Sequence, residues 1–429
     1  MFLVGISPKR SSRQQTCDVR GVNDRLSGVG RALTGGDPRA YRDSLIALTI
    51  AGITSLVAGV TLALTTDTLE ELPGLLLLVP AALAVKGNVF GALGSRLGTS
   101  IHTGTFRLSG RLDTVVGANV AGAMLLSLVI ATVIALLAKG VAIAFSISPT
   151  MSVADFLVVS VVGGILASVI VLAITLLLAG GSVRYGWDLD NVVSPLVTAS
   201  SDVVSLPALV LAAGLASVDG VTPALAVAVV VASLLAIVWA VLTKVEMLRS
   251  IVRESMPILV FAGLLDLIAG ITIEKRLDDF LEYPVLLVLL PGFLGTAGAL
   301  GGVLSSRLAT KLHLGLIEPG PVPRGSAGGE IAMIFSLSLP VFVVAGVVAE
   351  IGGALTDQAS PGLVDLVLVA VFGGLIATCC VVIVAYYATI VAVRFGLDPD
   401  TYGIPMVTST LDFVGAFTLI LAIVAVGVA

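Results

Sequence analysis

Charge is scarce in this chain. Only 12% of its 429 residues are Asp, Glu, Lys or Arg, where a soluble domain carries about 25%. Cysteine is nearly absent, with Cys17, Cys379 and Cys380 alone, so no disulfide framework and no Cys-x-x-Cys metal pattern exists. Histidine is limited to His102 and His313, which removes the His and Cys ligand sets that zinc prefers. A net charge of -5 excludes a basic nucleic-acid surface. The apolar segments hold no His-Glu-x-x-His run and no Ser/His dyad, so an intramembrane enzyme is not expected.

What fills the chain instead is apolar. Hydrophobic residues make up 57% of it, and mean hydropathy is +1.11. Stretches of 18 or more apolar residues are long enough to cross a bilayer. Eleven such spans are expected, at about 44–64, 74–97, 115–145, 155–182, 192–216, 222–244, 257–273, 285–307, 329–352, 363–393 and 404–428. The fold class is therefore an all-α polytopic membrane protein with the lipid bilayer as its solvent. The 47 glycines suit close helix–helix approach in lipid. Residues 1–40 are polar and read as a flexible cytoplasmic tail.

Lys and Arg in the short loops set the expected orientation. Arg42, Arg107, Arg111, Arg184, Lys244, Arg249, Arg253, Lys311, Arg324 and Arg394 all fall on one side, and the opposite loops are acidic or neutral, as in Asp67-Thr-Leu-Glu-Glu71, with one exception, Glu274-Lys-Arg276, whose basic pair is matched by Glu274, Asp278 and Asp279. This places the chain in the cell membrane with its N-terminus cytoplasmic and its C-terminus outside.

The sequence repeats at an offset of about 210 residues. Ala58-Gly59 answers to Ala269-Gly270, and Gly163-Gly164 to Gly373-Gly374. Between them Pro80, Gly87, Gly91, Arg96, His102 and Gly104 match Pro291, Gly298, Gly302, Arg307, His313 and Gly315. Shared apolar composition does not put Pro, Arg and His in register, so the chain reads as a duplication. Residues 41–220 form the first five-span repeat and 251–429 the second. Five is odd, and the extra span within 221–250 restores the orientation of the second copy. The two repeats are then parallel, related by a pseudo-two-fold axis along the membrane normal, a plan in which the substrate path lies near the repeat interface. A monomer acting as an internal pseudo-dimer is expected.

Ionisable residues deep in a span are costly and point to function. The fifth spans read Pro195-Leu-Val-Thr198-Ala-Ser-Ser-Asp202 and Pro405-Met-Val-Thr408-Ser-Thr-Leu-Asp412. Thr and Asp at i and i+4 share a helical face. Proline removes a backbone donor and can free carbonyl oxygens nearby. An axis between the repeats can bring Asp202 and Asp412 face to face, where two carboxylates repel and a divalent cation relieves the conflict. Magnesium takes hard oxygen ligands in an octahedron and keeps several waters, so this donor set suits it. Paired carboxylates also carry protons, which keeps a proton relay as the alternative.

Asn88 adds an amide oxygen, and Asp266 lies mid-span opposite Ser55 of the first repeat. Lys86 either snorkels or pairs with an acid. Repeat two reads Thr296-Ala-Gly-Ala299 at that level and lacks both polar side chains. Asn119 and Glu330, matched near the start of the third span of each repeat, read as solvated helix ends. Asp188, Asp190, Asp398 and Asp400 precede the fifth spans, as inner-mouth acids or as ordinary caps. The metal candidates are thus Asp202, Asp412, Thr198, Thr408, Asn88 and Asp266.

These segments resemble the membrane domain of the MgtE magnesium transporters, and most of all its duplicated form, solute carrier family 41. The run Pro80-Ala-Ala-Leu-Ala-Val-Lys-Gly-Asn88 with Ser95-Arg-Leu97 is similar to that family's second helix, and the two Pro-x-x-Thr-x-x-x-Asp runs to its fifth. The resemblance spans about residues 41–429. It implies a magnesium path between the halves, with Asp202 and Asp412 coordinating a partly hydrated ion beside backbone oxygens near Thr198 and Thr408. The magnesium-sensing and CBS regions of MgtE have no counterpart in these segments, so gating by them is not expected. A divalent-cation transporter or channel follows, magnesium-preferring, with sodium or protons as candidate coupling ions. The rivals are a proton-coupled transporter of another substrate and a non-transporting scaffold or receptor.

Overall fold

The computed structural model describes residues 38–185, 189–216, 218, 220–318, 320–395 and 403–428. Residues 1–37 of the tail expected at 1–40 lie outside them, as do Asp188, Asp398 and Asp400 and the side chains of Asp190, His102 and His313, while 38–40 belong to the first helix. No strand occurs among the described residues. In lipid a helix satisfies its own backbone donors and acceptors, which is why apolar runs of this length fold this way.

The first set comprises α1 (Pro38–Ala63), the short α2 (Thr66–Glu71), α3 (Leu75–His102), α4 (Val115–Ala144), α5 (Val153–Tyr185) and α6 (Leu189–Ala213). A linking helix α7 (Val221–Leu242) leads to the second set. That set comprises α8 (Glu246–Glu274), the short α9 (Leu277–Glu282), α10 (Val285–His313), α11 (Ser326–Leu355), α12 (Leu363–Arg394) and α13 (Ile404–Val426). Among the described residues 11 helices are long and apolar enough to cross a membrane, as the hydropathy pattern predicts.

Two details differ from the sequence reading. The seventh span starts at Glu246 rather than 257, because Pro257 is tolerated inside α8 and the helix continues through a polar turn that hydropathy does not see. The acidic loop after each first span folds into a helix of 6 residues, each burying one apolar anchor, Leu69 in α2 and Phe280 in α9.

The first long helix of each set is exchanged between the sets. Helix α1 packs against α10 and α11 as well as its own α6, and α8 packs against α3 and α4 as well as α13. Glycine makes both crossings possible. A Cβ on Gly59 would sit 2.1 Å from the carbonyl oxygen of Val288, and one on Gly270 would sit 2.2 Å from that of Leu77. The residues of one crossing are the repeat partners of the other. Gly163 and Gly373 serve similarly within each set, with a Cβ 3.0 Å from the Ala208 and Thr418 carbonyl oxygens.

Lys86 neither snorkels nor pairs with an acid. It is 2% exposed and forms no ion pair among the described residues. Its Nζ points between α4 and α5, 3.3 Å from the place a Gly164 Cβ would take, with Ala131 at the same distance. In the second set Ala297 stands for Lys86 and Phe342 for Ala131, and the Phe342 ring fills the space before Gly374. One gap is thus filled from the second helix in one set and from the third in the other.

The Arg-bearing ends of the two sets are also unlike. Glu330 is fully buried and held by both Arg307 and Lys311. It is not a solvated helix end, because two cations from α10 compensate its burial. At the matched place Asn119 is 4% exposed, donates to Val115 O at 2.9 Å and leaves its Oδ1 without a partner. Arg96 there donates to Ser255 of α8 at 3.2 Å. At the opposite end Glu274 of α8 accepts the Gly74 N–H at 2.8 Å, capping α3 across the two sets.

Two outcomes follow for stability. Gly59→Val or Gly270→Val should each cost about 1–3 kcal/mol or more, as overpacking against backbone does, whereas Gly91→Ala, with open space around it, should leave the melting curve in detergent unchanged. Glu330→Gln strands two cations and should cost up to about 3–5 kcal/mol. Asn119→Ala should cost under about 1 kcal/mol by the same thermal melt.

Candidate functional site

The crossings bring together polar groups from the middle of spans in both sets. Helix α1 lies between α6 and α10, and there Ser55 donates to Asp202 Oδ2 at 3.4 Å. Helix α8 lies between α13 and α3, and there Ser409 of α13 donates to Asp266 Oδ2 at 3.2 Å. Asp266 and Asp412 are near enough for their side chains to interact. Asp202 and Asp412 are near enough for their charges to interact. Asp266 is fully buried, and its Oδ1 has no donor.

Thr408 Oγ1 lies 3.4 Å from Asn88 Oδ1, linking α13 to α3. Thr198 faces Gly87 of α3, whose Cβ would sit 3.8 Å from Thr198 Oγ1. The six candidate residues therefore converge, with Asp202 beside Ser55 in one lobe and Asp412, Asp266, Ser409, Thr408 and Asn88 in the other. Thr198 stands on α6 one turn before Asp202. A small cleft lined by Asn88, Arg96, Ser255 and Pro405 runs along α3 toward the Arg-bearing end, and Asn88 Nδ2 is buried without a partner.

Proline does not loosen the start of α13. Pro405 sits in the first turn, where no intrahelical donor is needed, and its carbonyl accepts from Thr408 Oγ1 at 3.2 Å. The carbonyls around Thr408 are thus helical.

One wall of the site is backbone. Gly295 and Gly298 of α10, one turn apart, face the two carboxylates. A Cβ on Gly295 would lie 3.6 Å from Asp202 Oδ2 and 3.8 Å from Ser55 Oγ, and one on Gly298 would lie 3.9 Å from Asp412 Oδ1. Among the described residues no group of three or more His, Cys, Asp or Glu side chains is arranged to hold a metal. The arrangement offers a few hard oxygens and space rather than a closed cage.

Sequence reasoning missed Ser409 as a carboxylate donor, since its repeat partner is Ala199 and no motif marks it. Ser55 was signalled only by its register with Asp266. Gly295 carried no signal, because a glycine in an apolar helix is ordinary.

Comparison with known proteins agrees with these observations. The family described as MgtE, divalent cation transporter, matches twice, at residues 79–212 and 290–422. Solute carrier family 41 member 2 of Xenopus laevis is 25% identical over 437 residues, covering 91% of this chain and 74% of that protein. Solute carrier family 41 member 3 of Rattus norvegicus is 25% identical over 445 residues, covering 95% and 94%. The mouse member 2 is 25% identical over 421 residues, covering 88% and 69%. No solved structure matches the chain. With both of its halves matched and eleven apolar helices to carry them, the chain is an integral membrane protein that belongs to the MgtE family of divalent cation transporters.

Proposed function

We propose that the chain carries magnesium in preference to other divalent cations, along a path between its two repeats, with Asp202 and Asp412 holding the partly hydrated ion. The carrying observation is the meeting of these two mid-membrane carboxylates on one glycine face of α10. Unpaired charge in hydrocarbon is expensive, and two facing carboxylates are worse. A divalent cation arriving between them offsets both costs. Asn88, Thr198, Thr408 and Asp266 complete the polar lining. With few protein ligands at hand, the ion keeps most of its waters, which suits magnesium because it dehydrates reluctantly. Release toward either side then needs only water exchange and two carboxylate contacts.

Residues 41–220 and 251–429 serve as parallel repeats about an axis along the membrane normal, with the helix within 221–250 restoring the orientation. The chain works as a monomer in the cell membrane, an internal pseudo-dimer with its N-terminus cytoplasmic. Its transport cycle involves no covalent chemistry. A second reading, a proton-coupled transporter of another substrate, draws on the closeness of Asp266 and Asp412, since neighbouring intramembrane carboxylates can carry protons. Sodium is the other candidate coupling ion.

The test is magnesium uptake into proteoliposomes that hold a trapped magnesium dye. Wild type should fill them, and Asp202→Asn or Asp412→Asn should each slow uptake at least about tenfold, the equivalent of about 1.4 kcal/mol. The double variant should reach background while melting near wild type. Equal uptake by the double variant, or none by wild type under any sodium or pH gradient, would remove the carboxylate-pair site and favour the proton relay.

A further inference from the structure

The two repeats offer unequal room to the ion. On α10 the positions facing the site are Gly292, Gly295 and Gly298, while their partners on α3 are Ala81, Ala84 and Gly87. A Cβ on Gly292 would meet Ser55 Cβ at 3.8 Å, and the Gly295 and Gly298 values reach Asp202 and Asp412 themselves. At the first two positions the α10 face is bare where the α3 face carries a methyl group, and at the third both repeats have glycine. All of these distances are ordinary van der Waals contacts, so a methyl group would fit there without moving a neighbour. The close crossing at Gly59 does not need these glycines, because it uses the backbone of Val288 about one to three turns earlier on α10. Packing thus does not account for their lack of side chains. The carboxylate oxygen beside Gly295 calls for an occupant: Asp202 Oδ2 has one hydroxyl donor at 3.4 Å.

We infer that Gly295, with Gly298 one turn on, sets the ion selectivity of this protein by leaving room for the waters that a bound divalent cation keeps. The inference rests on the carboxylate-pair reading and adds the residues that choose between ions. A methyl group at Gly295 takes the place of a water beside Asp202 and supplies no hydrogen bond in return, and displacing an ordered water that way loses affinity. Magnesium holds its octahedral shell tightly at about 2.0–2.1 Å and yields waters reluctantly, whereas calcium accepts 6–8 oxygens in flexible geometry at about 2.3–2.6 Å. Narrowing the site therefore penalises magnesium more than calcium. One methyl group in a fitted pocket changes discrimination by roughly tenfold or more.

The experiment uses the full chain in proteoliposomes with a trapped magnesium dye. Two concentrations are measured: the magnesium that half-saturates uptake, and the external calcium that halves it. In Gly295→Ala the first should rise about tenfold relative to the second. Gly298→Ala should shift the same ratio in the same direction from the Asp412 side. Gly302→Ala, on the same helix with nothing within 4 Å of its added methyl, should keep the wild-type ratio. An unchanged ratio in both Gly295→Ala and Gly298→Ala, or an equal change in Gly302→Ala, overturns the inference while leaving the carboxylate site standing. Absence of uptake in wild type overturns the carboxylate site itself, and the inference with it.

Discussion

Everything in this membrane bundle depends on two places where backbone meets backbone. At Gly59 against Val288, and at Gly270 against Leu77, a helix from one repeat crosses a helix of the other with no side chain between them. In lipid there is no hydrophobic drive to hold helices together, so close van der Waals approach is what remains. The two crossings lodge α1 between α6 and α10, and α8 between α13 and α3. That lodging carries Ser55 to Asp202 and Asp266 to Asp412.

The halves that meet there have diverged. One lobe pairs Asp202 with a hydroxyl, the other pairs Asp412 with a second acid. Asn88 serves the second lobe from the first repeat, and nothing polar replaces it at Ala299. The same inequality recurs away from the site. Glu330 draws two cations into one end of the second repeat, where the first has Asn119. Lys86 fills a gap that Phe342 fills in the other half. Duplication within one chain permits this, because each copy of a position can change alone, which identical subunits cannot do.

Much of the architecture was legible in the sequence, for definite reasons. Span number follows from hydropathy, since the bilayer sets a minimum length. The repeat shows in the register of Pro, Arg and Gly, and the Asp pair stands out because acids in apolar runs are rare. Other features were hidden. Helix exchange leaves no mark, because the same small residues would serve packing within a repeat. Helices α2 and α9 are too short for periodicity. The burial of Glu330 depends on Arg307 and Lys311 reaching it from another helix, and Lys86 looked like a snorkelling residue because hydropathy does not record what lies beside it. Glycines at 295 and 298 resemble any others until the carboxylates opposite are known.

These hidden features share a cause. Sequence pattern reports what one helix prefers, whereas an ion path is made of what helices leave between them. At this site the protein supplies two carboxylates, a few hydroxyls, an amide and an open backbone face. Fewer ligands mean weaker binding and a larger share of the shell left to water. A tight cage would hold the ion in place, and a path cannot. The crossing glycines bring the carboxylates of the two sets together, and Gly295 and Gly298 of α10 leave backbone rather than side chain beside them.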